Sequence, residues 1–528
     1  MKKLYYGGPI HTMEPGVEPP YAILTEKGTI TALLTQAEAR QITDAEPIDL
    51  EGRALLPGFI DAHSHFSGVA AELLQIDVDG CTSAEEIGAR VQRWIGEHQP
   101  SAGSFLTASG YDHNDLPDGR HVTRRELDRY CPDYPLLVKH KSGHMGVFNS
   151  AALAWLGIDE NSPCPSGGAM GRDEDGRLDG YMEEAALSAQ VRRMPTIDLA
   201  AYMESMGKAQ QVYFSYGITT AQEGAIRNIL PQLYAQGVER KMFDIELIGY
   251  ADLNTMDMVE QFLPRCLKGY SGNLRVAGYK IFLDGSPQGR TAWMRKPYLG
   301  GDPDYVGYPM MEDEAVREAV CRACREKVQI LAHCNGDMAC EQFLTACEAV
   351  QAEGYDIAAL RPVMIHAQLL GADQIGRAKG LGMILSFFVA HVWHWGDVHV
   401  RNFGPERGEH ISPVALAVRL GIPYTFHQDA PVIKPDMMET VWCAVNRKTK
   451  SGKVFAPELA VSVGEALHAI TLGAAYQYGE EDRKGSIMPG KAADLVILDR
   501  DPFAVPKEDL RNIRICATIK GGKTVFER

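Results

Sequence analysis

The stretch LLPGFIDAHSHF, residues 55–66, is a short apolar run that closes on two histidines one residue apart. Side chains at i and i+2 of a strand point to the same face. Read as a strand, the run presents His63 and His65 side by side at its C-terminal tip. Such a pair either binds a metal or ends the strand as exposed polar groups. The choice depends on what else the chain brings to that tip.

Seven further strand-like runs follow: GITTAQEG (217–224), DIELIGY (244–250), LRVAGYKIFLDG (274–285), VQILAHC (328–334), RPVMIHAQ (361–368), GMILSFF (382–388) and IPYTFHQDA (422–430). Most are separated by helical stretches. Strands alternating with helices imply a parallel sheet, and eight such units imply a closed (β/α)8, TIM-like barrel. An open doubly wound sheet is the alternative, but no Gly-rich dinucleotide turn follows an early strand.

About 150 residues separate the first two strands, far more than a βα loop needs. That segment has strand-like and helical pieces of its own, SFLTASGYD, TRRELDRY, YPLLVKH and NSAALAWLGI. Residues 67–205 therefore read as an inserted α+β domain that leaves the barrel at the C-terminal end of strand one. Barrel active sites lie at that end, so the insertion is expected to cover the site. Residues 1–57 and 471–528 are both rich in short strands and Gly turns, as in GSIMPGKAADLVILDRDPF and IRICATIKGGKTVFER. They read as two parts of one small β-sandwich domain, with the barrel itself spanning 58–66 and 206–470.

The 528 residues are 45% hydrophobic, enough for a large core. With 69 acidic against 53 basic residues and no dense Lys/Arg stripe, nucleic acid is excluded as a partner. The N-terminus MKKLYYGGPIHTME lacks the apolar core of a secretory signal, and no run is long enough to span a membrane. Eleven scattered cysteines suit a reducing cytoplasm better than a disulfide framework. Cys321 and Cys324 form a C-x-x-C inside EAVREAVCRACREKV, which reads as an ordinary amphipathic helix. The expected partner is a small-molecule substrate, with a homodimer as the expected assembly.

Polar residues recur near the strand ends: His63 and His65 on strand one, Lys280 on strand four, His333 on five, His366 on six and Asp429 on eight. A parallel barrel gathers these six at one mouth. Neutral imidazoles and a carboxylate suit Zn²⁺ or another divalent ion. A lone histidine at a strand end is more often a hydrogen-bonded loop residue, but six groups in register with the barrel pattern are not accounted for that way.

LLPGFIDAHSH, the strand-four lysine, the later histidines, the strand-eight aspartate and GSIMPGKAADLVILD together resemble the amidohydrolase superfamily. Within it, KIFLDGSPQGRTA, SGHMGVFNS, HCNGD, IHAQ and HQDAPV resemble the branch that contains N-substituted formamide deformylase. The resemblance implies one or two ions. His63, His65 and Asp429 hold the first, and His333 and His366 hold a second or join the first. By the same resemblance Lys280, once carbamylated by CO₂, would bridge the two. Two positions depart from the family pattern: Ile365 stands where a glutamate often precedes the strand-six histidine, and His427 and Gln428 stand where small residues often precede the aspartate.

A bound divalent ion makes hydroxide available at neutral pH. Asp429 is the expected proton acceptor and donor, or else a plain ligand. His391, in VAHVWHWGDVHV at the exit of strand seven, either donates to the substrate carbonyl or belongs with Trp393 to an aromatic wall. His144 of the insertion is either a substrate contact or structural. The expected activity is hydrolysis of a non-peptide carbon–nitrogen bond, amide or formamide. A deaminase, lactonase or ester hydrolase on the same site is the second reading, and a non-catalytic scaffold that keeps the barrel is the third.

Overall fold

The computed structural model describes residues 2–165, 168–195 and 198–528, with the backbone alone at residue 118. Eight parallel strands form one sheet in chain order: β1 Phe59–Ile60, β2 Ile218–Ile226, β3 Glu246–Asp252, β4 Leu274–Phe282, β5 Gln329–Cys334, β6 Val363–His366, β7 Ile384–Phe387 and β8 Tyr424–Phe426. Each pairs in parallel with the next. Ile60, Ile248, Leu331, Val363, Ile365 and Ile384 share one buried cluster, so side chains from β1 through β7 meet in a single interior. Just past the outermost strands the His65 N–H donates to the Ala430 carbonyl at 2.7 Å. The sheet is curled into a TIM-like barrel, as the alternating pattern implies.

The opening stretch departs from its reading as one strand. Ala54–Pro57 pairs antiparallel with Leu495–Leu498, whereas only Phe59 and Ile60 join the barrel. Gly58 marks the hand-over, because a Cβ there would lie 2.6 Å from the Thr219 side chain. His63 and His65 therefore lie beyond the strand, in a loop, and strand alternation does not place them.

Two four-stranded sheets are built from both termini. One holds Lys2–Tyr6, Ala22–Glu26, Thr29–Leu34 and Glu46–Asp49. The other holds Ala54–Pro57, Leu495–Leu498, Ile515–Lys520 and Lys523–Glu527. Tyr5, Ile23, Leu55, Leu495, Ile497 and Ile519 pack in their common core. By contacts the chain divides into two compact units, residues 1–66, 210–430 and 434–528 in one and 67–209 with 431–433 in the other. The second unit has a six-stranded sheet that includes Leu106–Tyr111, Leu136–His140 and Met145–Phe148, with helices Arg124–Tyr130 and Ser150–Leu156 among its others. The Thr123/Glu126 capping box and the Asn149 cap start those two helices.

The eleven cysteines are free, and Cys321 and Cys324 are buried in helix Asp313–Glu326. Among the described residues no helix is long and apolar enough to cross a membrane.

Candidate metal centre

The loop after β1 is pinned to β2 by backbone and side-chain bonds. Ser64 Oγ donates to the Gln222 carbonyl at 3.1 Å, and the Gly224 N–H donates to the Ser64 carbonyl at 2.8 Å. Gly224 leaves room for the two rings, since a Cβ there would lie 2.7 Å from His63 Cε1 and 3.0 Å from His65 Cε1. The ring centroids stand 5.2 Å apart.

Asp429, just past β8, faces both rings, with Oδ1 3.3 Å from His63 Nε2 and 3.3 Å from His65 Nε2. Its Oδ2 is 3.8 Å from His366 Nε2. Lys280 Nζ lies 3.3 Å from His63 Nε2, and the His333 ring stacks edge-on to His366 at 4.5 Å. The structure thus brings together all six residues that the strand-end pattern selects. Two are held in left-handed backbone, His366 at φ 73° and Asp429 at φ 54°. For residues other than glycine that conformation is strained and gathers at functional sites. At His366 it turns the ring out of the sequence in which Val363 and Ile365 fill the barrel interior.

Hydrogen bonds fix which nitrogen each ring offers. His63 Nδ1 donates to Gln222 Oε1 at 2.6 Å, and the Gln222 amide is oriented because its Nε2 donates to the Ala62 carbonyl and the Tyr478 hydroxyl. His333 Nδ1 donates to Asp284 Oδ1 at 3.1 Å, and the Asp284 carboxylate also accepts the N–H groups of Trp293, Asn335 and Gly336. His366 Nδ1 bonds to His427 Nε2 at 3.1 Å, and His427 Nδ1 to Ser386 Oγ at 2.9 Å. In each case Nδ1 is engaged and the lone pair falls on Nε2, as in metal-ligating histidines. Lys280 Nζ stands 3.3 Å from the Nε2 of His63 and Asn335 Nδ2 3.3 Å from that of His333, and that of His366 has no hydrogen-bond partner among the described residues. Gln222, Asp284 and His427 escape a search for ligands. Asp284 and His427 nevertheless lie just past strand ends, where the candidate ligands also lie, whereas Gln222 sits in the middle of β2.

Electrostatics agree. Burial holds His63 and His366 well below the ordinary histidine range, so both are neutral at pH 7 and keep their lone pairs. Burial would raise the Asp429 carboxyl, but His63, His65 and His366 around it hold it well below the usual carboxylate range. Burial lowers the Lys280 amine to about 7.

The donors fit a divalent ion. His366 Nε2 and Asp429 Oδ1 are buried without a hydrogen-bond partner among the described residues, a costly state for polar atoms unless something else uses them. His63, His366 and Asp429 offer ligand atoms within 4.8 Å of one another. Donors that share one tetrahedral zinc stand about 3.3 Å apart, the spacing Asp429 Oδ1 keeps to both His63 and His65.

Residues 46–526 match the amidohydrolase family model. The chain belongs to the amidohydrolase family. It is 27% identical to YtcJ of Bacillus subtilis, with all of both chains covered. It is 28% identical to N-substituted formamide deformylase of Arthrobacter pascens over 96% of this chain and 95% of that one. Among solved structures it resembles an uncharacterized metal-dependent hydrolase of Pyrococcus furiosus, with TM-score 0.75, 25% identity, and 95% of this chain and 100% of that one covered. This amidohydrolase is an enzyme of the metal-dependent hydrolase class.

Three further candidates stand outside these six contacts. The segment after β7 is a helix, His391–Phe403, in which His391 is buried and its Phe388 neighbour reaches the His427 ring at 5.3 Å. Trp393 is not joined to the six. It packs against Trp442 with the Arg511 guanidinium over both rings. His144 belongs to the second unit, where it pairs with Glu184 at 3.2 Å. That unit also holds a cluster that sequence reading passed over, Asp112, His113 and His140. The Ser142 N–H donates to His140 Nδ1 at 3.0 Å, which places that ring's proton on Nε2, facing His113 Nδ1 at 3.1 Å and Asp112 Oδ1 at 3.4 Å. The cluster is satisfied as a hydrogen-bond network.

Proposed function

We propose that this amidohydrolase cleaves a non-peptide carbon–nitrogen bond, that of an N-substituted formamide or a related amide, with zinc as its resident ion. The convergence of His63, His366 and Asp429, with His366 Nε2 and Asp429 Oδ1 buried and without a hydrogen-bond partner among the described residues, carries the reading. Similarity to N-substituted formamide deformylase along nearly the whole chain supports the formamide class.

His63, His65 and Asp429 would hold a first ion, and His333 and His366 a second or the same one. When bound, the ion lowers the pKa of its water to about 7 and polarises a carbonyl oxygen. Asp429 is ionised at neutral pH, takes the proton of the attacking water and returns it to the leaving nitrogen. His391 supplies a hydrogen-bond donor to the carbonyl oxygen as negative charge grows there. Lys280 as a carbamate would bridge the two ions. Its amine, lowered to about 7, carries at neutral pH the lone pair that CO₂ needs. A carbamate also adds negative charge to a site with a single carboxylate, whereas an ammonium offers no lone pair.

Zinc-reconstituted protein offered N-alkylformamides, longer N-acyl amines, cyclic amides and lactones tests the reading. Formamides are expected to turn over fastest, releasing formate and amine. Turnover of lactones alone would overturn it. Asp429→Asn with its metal content matched to wild type is expected to lose about 10²–10⁴-fold in kcat.

A further inference from the structure

Helix His391–Phe403 carries His391, Trp395 and His399 four residues apart, so one face holds all three, each buried. His391 Nδ1 and His399 Nε2 lie 3.0 Å apart. The two ring planes differ by 8° and the centroids are separated by 5.3 Å. Two rings joined nitrogen to nitrogen in one plane have this arrangement, that of an in-line N–H···N bond. Burial holds both imidazoles below the ordinary range, His399 at about 3, so the pair is neutral and one proton lies on the shared line.

The other end of the pair decides which ring owns that proton. His399 Nδ1 is buried and has no hydrogen-bond partner among the described residues. If His391 donated, His399 would have to carry its own proton on Nδ1, as a buried N–H without an acceptor. If His399 donates, its Nδ1 is a bare lone pair. Orphaned buried N–H groups are the rarer of the two in folded proteins.

We infer that His399 is a positioning residue: it donates Nε2–H to His391 Nδ1 and so fixes His391 as the tautomer that carries its proton on Nε2, a donor rather than a base. The inference rests on the proposed role of His391 toward the substrate carbonyl and states how the fold secures it. The opposite tautomer would offer a lone pair to a carbonyl oxygen, which repels it. Phe388 links this pair to the metal centre. Its ring touches His391 at 4.5 Å, His427 at 5.3 Å and His366 at 6.2 Å. His391 Nδ1 is committed to His399, so Nε2 is the one ring nitrogen available to a substrate.

The test is nitrogen NMR of the full-length protein labelled with ¹⁵N-histidine, with the His391 signals assigned by their loss in His391→Gln. Wild type is expected to show His391 neutral and protonated at Nε2. His391 protonated at Nδ1 would overturn the inference, and because no turnover is involved that result would leave the hydrolase reading standing. His399→Phe keeps the ring's packing but cannot donate. It is expected to show a mixture of His391 tautomers and to lose about 10–100-fold in kcat on an N-alkylformamide with KM unchanged, less than the full loss of an oxyanion donor. His399→Gln, whose amide can donate, is expected to recover most of both. Wild-type kcat in His399→Phe would overturn the inference. Should His399→Phe fail to fold, the wild-type spectrum alone decides.

Discussion

At His63 the two ring nitrogens have separate tasks. Nδ1 is held by Gln222, whose own amide is fixed by the Ala62 carbonyl and the Tyr478 hydroxyl, while Nε2 faces Asp429 and Lys280. A side chain that cannot accept from Nδ1 frees the ring to turn and to change tautomer. Gln222→Leu is therefore expected to weaken zinc binding by about 10–100-fold, the usual cost of losing such a partner, and Gln222→Glu to retain it. Competition with a zinc-chelating dye measures both, and unchanged affinity in Gln222→Leu would contradict the role. The six candidate ligands that the structure gathers were legible in the sequence because His, Asp and Lys at strand ends declare their chemistry. Gln222 and His427 were not, because an amide or a further imidazole gains a role only from the nitrogen it meets across the barrel. His427 was read as a departure from the family pattern, yet it supplies the partner that His366 Nδ1 needs.

Among the elements, β2 shapes the site without providing a ligand. Gly224 near its end passes so close to the β1 loop that a methyl group would meet the Ser64 carbonyl at 2.9 Å as well as both rings. Backbone cannot yield as a side-chain tip can. Gly224→Ala is thus expected to fold, since the barrel core is untouched, and to lose zinc and turnover together. Full zinc occupancy in a folded Gly224→Ala protein would refute this. Seven of the eight barrel strands were legible from apolar runs bounded by turns, within a few residues at each end. The exception is β1, where one apolar run serves two sheets: Ala54–Pro57 bonds to a strand more than 400 residues away in the chain, and only Phe59 and Ile60 enter the barrel. Alternation along a run does not disclose such a division, because both halves are buried.

For the molecule as a whole, the site costs stability that pH reveals. Lys280 has a folded pKa of about 7 against 10.5 when free. Between those values the unfolded chain binds the proton and the folded chain releases it, so stability rises with pH across that window, by up to about 1.4 kcal/mol per unit. Below pH 7 both states are protonated and this contribution is flat, with the folded state carrying its full penalty. Denaturant midpoints of metal-free, bicarbonate-free protein at pH 7, 8 and 9 are expected to climb more steeply in wild type than in Lys280→Met. Parallel slopes would show that Lys280 is not the buried amine described. The central claim is that the barrel mouth holds catalytic metal on His63, His366 and Asp429 together with their neighbours. Zinc per chain, measured by plasma mass spectrometry after reconstitution at neutral pH with bicarbonate, tests it most directly. One or two ions are expected in wild type and none in a folded His63→Ala/Asp429→Ala protein. Wild-type protein without zinc, or the double variant retaining the wild-type amount, would contradict the account.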